Sequence, residues 1–484
     1  MITAKSDPHL RDAPAILESI RRDQGRQRHK PATAGIERRW GVDYQRCLHD
    51  RFCDVIELPP SEYISRTENS WLIVGDHRTE LSAHVRLIIE RHGLGIGLLV
   101  LHQQQLLAGH ILASPACDPA TLPFSVPTKS LKGTHGECVL SIPNRKYRAD
   151  YKTLAALRVA KPRACWDPSQ LVMHPPEDRP CAYCSCHELY PSEVTVDIEG
   201  AAFGLSRDYR LGFTYAPFGN PSSVVHFLAW DDAPEPLNMN RVPMTVSDLV
   251  KLTREINVSI QSFFAPLGVS DYPILDGLAN GWAGNSVYHQ HFQFFMPEST
   301  PAVRQAPALS PGHVLRDDVE VVRLDWPTPV YRVRAADSIN TGLVGNDMGG
   351  IWRLLGGSRR APYKSFPAGH VPGARELVPA HTQNILIPGS ERGRTAYFFL
   401  RDRSRVDYAP DGCGSDMHAF TKLNVGTLEV AGTVIMDDEP TFARMSQWSP
   451  ETLTGRIREM IAAMSPDENK VAEFESALQE LFPT

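Results

Sequence analysis

Two spacings of apolar residues alternate along the chain. Residues 246–264 place apolar side chains three and four apart, which predicts an amphipathic helix, and the same spacing predicts helices over 450–464 and 467–481. Short alternating or continuous apolar runs predict strands at 194–198, 203–206, 209–215 and 224–230. A second set follows at 330–333, 383–387, 396–400 and 428–435. Upstream, Trp71-Leu72-Ile73-Val74 reads as a strand, 81–91 as a helix and 96–101 as a buried strand, together a small α/β module. Residues 1–45 are polar, with one helical pattern at 14–22. The pattern predicts an α+β protein: two halves of similar grain behind an N-terminal α/β extension. The boundaries fall at 1–130, 131–310 and 311–484.

The run Gly93-Leu94-Gly95-Ile96-Gly97 reads as a turn, because a dinucleotide-binding loop needs a strand before it, a further glycine and a helix after it. A Pro-rich stretch, 162–180, leads into the only cluster of cysteines.

Length and charge narrow the function. At 484 residues the chain exceeds one ordinary core. With 42% hydrophobic and 22% charged residues it has the composition of a globular protein. The 50 Lys and Arg against 56 Asp and Glu give no basic excess, so a small molecule is expected as partner and nucleic acid is not. No stretch of about 18 apolar residues suggests a membrane partner, and the polar start lacks a signal-peptide pattern. A cytoplasmic monomer or homodimer is expected, and the nine scattered cysteines fit reduced thiols.

The candidate chemistry lies in Gly284-Asn285-Ser286-Val287-Tyr288-His289-Gln290-His291-Phe292-Gln293. On a strand His289, His291 and Gln293 share one face, while Tyr288, Gln290, Phe292 and Phe294 take the other. An imidazole with the ordinary pKa of about 6.5 is mostly neutral at pH 7, so its lone pair can attack phosphorus without a separate base. Attack at an α-phosphorus would split a nucleotidyl exchange into two in-line displacements. Gln293 could donate an amide hydrogen bond to a non-bridging oxygen. Asn280, Gly281, Gly284, Asn285 and Ser286 just upstream could bring backbone N–H groups and small polar side chains to the phosphates, although a plain turn uses the same residues. A surface strand or a structural metal pair would also accommodate the histidines. Arg353, Lys364, Arg401 and Arg403 are candidate phosphate-contacting cations, although solvated surface charge is the commoner state of such residues and the favoured reading of each.

Cys181-Ala182-Tyr183-Cys184 offers two thiolates at a zinc-knuckle spacing. His289 could supply a third ligand and brace the strand carrying His291. His226, Asp232, Cys186 and His187 compete for the fourth place. Idle buried thiols or a redox dithiol are the alternatives, so zinc is a possible structural cofactor.

From about Gly136 to Arg444 the chain resembles the galactose-1-phosphate uridylyltransferase branch of the histidine triad superfamily, with its relatives the GDP-hexose phosphorylases and diadenosine tetraphosphate phosphorylases. Cys181 and Cys184 sit where the uridylyltransferases carry a zinc-binding pair. Val225-His226-Phe227-Leu228-Ala229-Trp230 looks like the strand before the helix that precedes the active site. Gly284, Ser286, His289, His291 and Gln293 match the transferase pattern. His381-Thr382-Gln383-Asn384-Ile385-Leu386-Ile387, followed by Arg401 and Arg403, looks like the second-half strand pair of the phosphorylases. The resemblance implies two histidine-triad-like halves with antiparallel sheets flanked by helices. It also implies a nucleotidyltransferase in which His291 is nucleotidylated. The donor would be a nucleoside diphosphate sugar or a dinucleotide, and Gln293 implies phosphate or sugar phosphate as acceptor. A hydrolase of nucleotide conjugates and a non-catalytic zinc-stabilised nucleotide binder are the competing expectations. The chain departs from the branch at Asp231-Asp232, where the uridylyltransferases have a histidine zinc ligand, and residues 1–130 have no recognised counterpart.

Overall fold

The computed structural model describes residues 42–57, 78–107, 129–142, 195–214, 225–231, 245–280, 291–309, 313–315, 319–356, 363–367, 375–379, 381–402, 425–436 and 439–481. The centre is one ten-stranded sheet built in two halves. The first half contributes β3 (Val196–Ile198), β4 (Tyr209–Phe213), β5 (His226–Asp231), β6 (Asp276–Ala279) and β7 (His291–Phe295), with α4 (Val246–Phe264) between β5 and β6. The second contributes β8 (His313–Leu315), β9 (Val319–Arg323), β10 (Val330–Arg334), β13 (His381–Ile387) and β14 (Thr395–Asp402). Helix α5 (Ser338–Leu355) and the hairpin β11 (Tyr363–Pro367)–β12 (Arg375–Pro379) lie between β10 and β13.

Spatially the order is β3-β4-β5-β7-β6-β13-β14-β10-β9-β8, and every pairing is antiparallel. Within the sheet the halves join where β6 pairs β13, Leu278 opposite Leu386 at the middle. Each half therefore runs three strands, a helix and two strands, and the order of one mirrors the other. A half-turn about the Leu278–Leu386 pair carries Gln293, which faces Leu278, onto Tyr397, which faces Leu386. By the same ladders His291 maps onto Thr395, and Asp276 onto Asn384.

Alternation decides which face each strand residue takes. Phe227, Ala229, Phe292, Phe294, Phe398 and Leu400 point to the helices and enter a core with Leu249, Val250, Ile256 and Ile260 of α4 and Val344, Met348 and Trp352 of α5. These α4 residues recur at helical spacing, as the sequence predicts. Leu278, Phe295, Val330, Leu386, Tyr397 and Phe399 point the other way. They form a second core with β15 (Thr433–Met436), α7 (Glu439–Met445) and α8 (Pro450–Ala463). Strand β15 runs parallel to β2 (Cys138–Ser141), which pairs with β1 (Lys129–Lys132), so the start of the described middle region is stitched to the C-terminal one. Helix α9 (Glu468–Leu481) returns to the helix side and buries Phe474 against Trp352.

Helices α4 and α5 lie side by side because α5 has glycines where they touch: a Cβ on Gly342 would come within 2.7 Å of the Ser247 backbone. The first turn of α4 has no cap from its own Thr245; Asn346 of α5 accepts from Val246 N at 2.7 Å instead. Helix α5 is capped conventionally, Asp337 accepting from Asn340 N at 2.8 Å.

Upstream, the structure describes α1 (Asp43–Ile56), α2 (Arg78–His92) and α3 (Leu94–Leu107), which extend the helical layer beside α4. The run 96–101, read above as a strand, lies inside α3. A continuous apolar run looks the same in a buried strand and a buried helix, and here the apolar residues surround the helix on all sides. Gly93 supplies the turn between α2 and α3 at φ 89°, while Gly95 lets α3 approach Ile256 of α4 so closely that a Cβ would meet its carbonyl oxygen at 2.3 Å. Two further expectations are corrected. Residues 203–206 are not a strand but the end of a tight helical turn, closed by Gly204 at φ 64°. The run 428–435 is broken into a short helix, α6 (Thr427–Val430), and β15, because Asn280 and Glu429 cap the helix start and Gly432 at φ 94° turns the chain. The expected helix at 14–22 and strand at 71–74 lie outside the described residues.

Candidate active site

Strand β7 is buried along its whole length, with aromatic residues at three of its five places. Phe292 and Phe294 anchor it in the helix-side core, which leaves His291 and Gln293 together on the opposite face, as alternation predicts. Across that face run three rows set by the ladders: Arg210, Trp230 and His291; Gly212, Leu228, Gln293 and Leu278; and His226, Phe295 and Asp276.

In these rows the polar groups are held. His226 Nε2 lies 3.2 Å from Gln293 Oε1, with both side chains buried. The nitrogen of the Gln293 amide makes no hydrogen bond to a described residue. The Trp230 indole lies over Gly212, where a Cβ would come within 3.2 Å of the ring, so a larger residue there would press on the ring beside His291. Arg210 donates through Nε to Asp197 on β3 at 2.7 Å, and Arg86 of α2 reaches the same carboxylate at 3.6 Å. The N-terminal extension is thereby tied to the row that contains His291.

Asp276 closes the third row. Burial pushes its carboxyl up to about 6, against the opposing pull of the Gly389 N–H at 2.8 Å and of Arg304. Arg304 itself pairs with Glu391 at 3.4 Å.

The remaining candidates fall in different places. Asn280 is buried where β6 meets α6, and its oxygen accepts from the Thr427 N–H and hydroxyl, each at 2.7 Å. Arg401 is not a solvated surface charge: it is completely buried, donating to Asn384 Oδ1 at 2.8 Å and the Val425 carbonyl at 3.2 Å. It braces the second half. Arg353 is half-buried at the end of α5. Cys181, Cys184, Cys186, His187, Asp232, Gly281, Gly284, Asn285, Ser286, His289 and Arg403 lie outside the described residues, as does the Lys364 side chain. Among the described residues no group of three or more metal-binding side chains occurs, and His226 Nε2 lies 3.2 Å from Gln293 Oε1.

Arg210 and Asp276 were not anticipated from the sequence. The Asp197–Arg210 pair depends on which strand lies beside which, and a lone aspartate ahead of an apolar run looks like a turn residue.

No protein-family model matches the chain, and no curated protein sequence matches it. Among solved structures the chain is similar to yeast Ap4A phosphorylase Apa2, at 14% identity and a TM-score of 0.38, over 70% of this chain and 86% of that one. It is also similar to the same yeast enzyme in complex with Ap4A, at 12% identity and a TM-score of 0.42, over 78% of this chain and 97% of that one. Among the described residues no helix is long and apolar enough to cross a membrane.

Proposed function

We propose that the chain is a nucleotidyltransferase that works through a covalent nucleotidyl-histidine at His291, with phosphate or a sugar phosphate as acceptor. The observation that carries this reading is the pair His291 and Gln293 on one buried face, the amide nitrogen of Gln293 making no hydrogen bond within the described protein. In the first step an imidazole nitrogen attacks the α-phosphorus of a dinucleotide or nucleoside diphosphate sugar. The P–N bond forms as the P–O bond to the departing phosphate ester breaks. In the second step an oxygen of the acceptor phosphate attacks the same phosphorus and the P–N bond breaks, restoring the imidazole. Gln293 donates to a non-bridging oxygen in both steps, where charge builds. Zinc held by Cys181, Cys184 and His289 belongs to this reading as a structural brace; His226 is a poor fourth ligand through Nε2, which is occupied by Gln293.

The test is incubation of the full chain with dinucleoside polyphosphates and nucleoside diphosphate sugars carrying label on the α-phosphorus. Acid-labile label should remain on the protein and be absent from His291→Ala. Product analysis with and without phosphate separates a transferase, which stalls without acceptor, from a hydrolase. Tight nucleotide binding with no label and no turnover would leave a binding protein.

A further inference from the structure

Among the described residues, His226 is the side chain that hydrogen-bonds the Gln293 amide. A carboxamide has two ends of similar size and opposite hydrogen-bonding character, and nothing in a flat strand tells it which to present. The neighbour decides. His226 stands on β5 opposite Phe295, diagonal to Gln293, and its Nε2 meets the amide oxygen at 3.2 Å. Its ring is 2% exposed and lies 6.3 Å from the Phe295 ring, so its position is set by packing. With the oxygen engaged, the NH2 group is turned away from His226.

We infer that His226 is a positioning residue: its Nε2–H donates to Gln293 Oε1 and thereby fixes the amide with its N–H groups toward the phosphate on His291. The inference rests on the reading of His291 and Gln293 given above. It assigns to this histidine a role in place of the metal ligation that its residue type suggests. The opposite orientation would point the amide oxygen at an anionic phosphate, which repels it, so the setting of one buried amide separates a site that stabilises charge from one that opposes it.

The experiment is a double-mutant cycle on the full chain, with phosphate as acceptor and the labelled dinucleoside polyphosphate as donor. His226→Phe keeps a flat ring and removes the donor. It should lower kcat about 10-fold with KM little changed, as expected for loss of an interaction made in the transition state. In a Gln293→Ala background the same change should cost less than about twofold, because the group it acts through is gone. His226→Gln, which retains a donor, should recover part of the loss. Equal losses in both backgrounds would overturn the inference, as would His226→Phe at wild-type kcat. A second measurement needs neither turnover nor a folded Phe variant: in protein with 15N-labelled histidine, with the signal assigned from His226→Gln, His226 should carry its proton on Nε2. A bare, accepting Nε2 would overturn the inference. If the wild-type chain takes no label at all, the reading of His291 fails, and the nitrogen spectrum still decides the hydrogen bond.

Discussion

The two halves of the sheet follow the same strand order, yet matching places on one face carry different residues. In the first half that face carries His226, Trp230, His291, Gln293 and Asp276. At the matching places of the second half stand Val330, Arg334, Thr395, Tyr397 and Asn384, and the core with β15, α7 and α8 takes Val330 and Tyr397 there and reaches only Leu278 and Phe295 of the first half's strands. One half keeps a histidine and a carboxamide where the other keeps Thr395 and Tyr397. The backbone arrangement tolerates both, so the chemistry belongs to the side chains and not to the architecture.

The sharpest way to break this comparison is to exchange roles at the paired positions. His291→Ala should reduce nucleotidyl transfer by at least about 10³-fold, whereas Thr395→Ala, at the equivalent place, should leave turnover per folded molecule within about twofold of wild type. Steady-state rates on thermally matched samples check this, and comparable losses from both would dissolve the asymmetry.

Next comes the floor beneath the Trp230 ring. Gly212 matches Val322 of the second half, and Gly212→Val would drive a branched side chain into Trp230 and Thr195. A loss of about 2–3 kcal/mol in urea unfolding is expected, together with impaired turnover, because the displaced ring adjoins His291.

Asp276 against Asn384 sharpens the comparison through pH. The folded carboxyl titrates near 6, above its ordinary 3.8. Below about pH 4 folded and unfolded chains both hold the proton and no penalty exists. Between there and about pH 6 the unfolded state releases it while the folded state keeps it, so stability falls as pH rises, and above 6 the whole penalty stands. Asp276→Asn, which copies the second half, should therefore match wild type near pH 4 and exceed it by on the order of 2 kcal/mol at pH 7. A constant difference across this range, measured by denaturant unfolding, would remove the buried carboxyl from the account.

The smallest effects concern the helix starts. Asn346→Ala strips the cap from α4 and should cost about 1.5 kcal/mol, against about 1 kcal/mol for Asp337→Ala at the start of α5. Calorimetry on the two variants should show the larger shift for the residue that caps the other half's helix.

Much of the fold was legible because its signals are local. Helices α4, α8 and α9 and strands β7, β10, β13 and β14 declare themselves through spacing within a few residues. The reading failed where the deciding contact lies far along the chain. Residues 96–101 are helical against α4, whose Ser259 bonds Gly95 N across 164 positions, and α6 begins where Asn280 caps it from 147 residues away. The site divides in the same way. The sharing of one face by His291 and Gln293 follows from strand alternation alone. The bond from His226 to Gln293, the burial of Arg401 and the carboxyl of Asp276 needed the strand order, which no spacing encodes.

The cap that Asn346 lends to α4 has a consequence for how the molecule could be taken apart. Each half leaves something unfinished: one lacks a partner for the first amides of its helix, and each ends on a strand, β6 or β13, whose hydrogen-bonding edge needs the other. A chain nicked between residues 309 and 319 would thus become an obligate pair of fragments. Neither fragment would close its sheet edge alone, and the ten-stranded sheet would exist only after the two had met, at a rate set by their concentration.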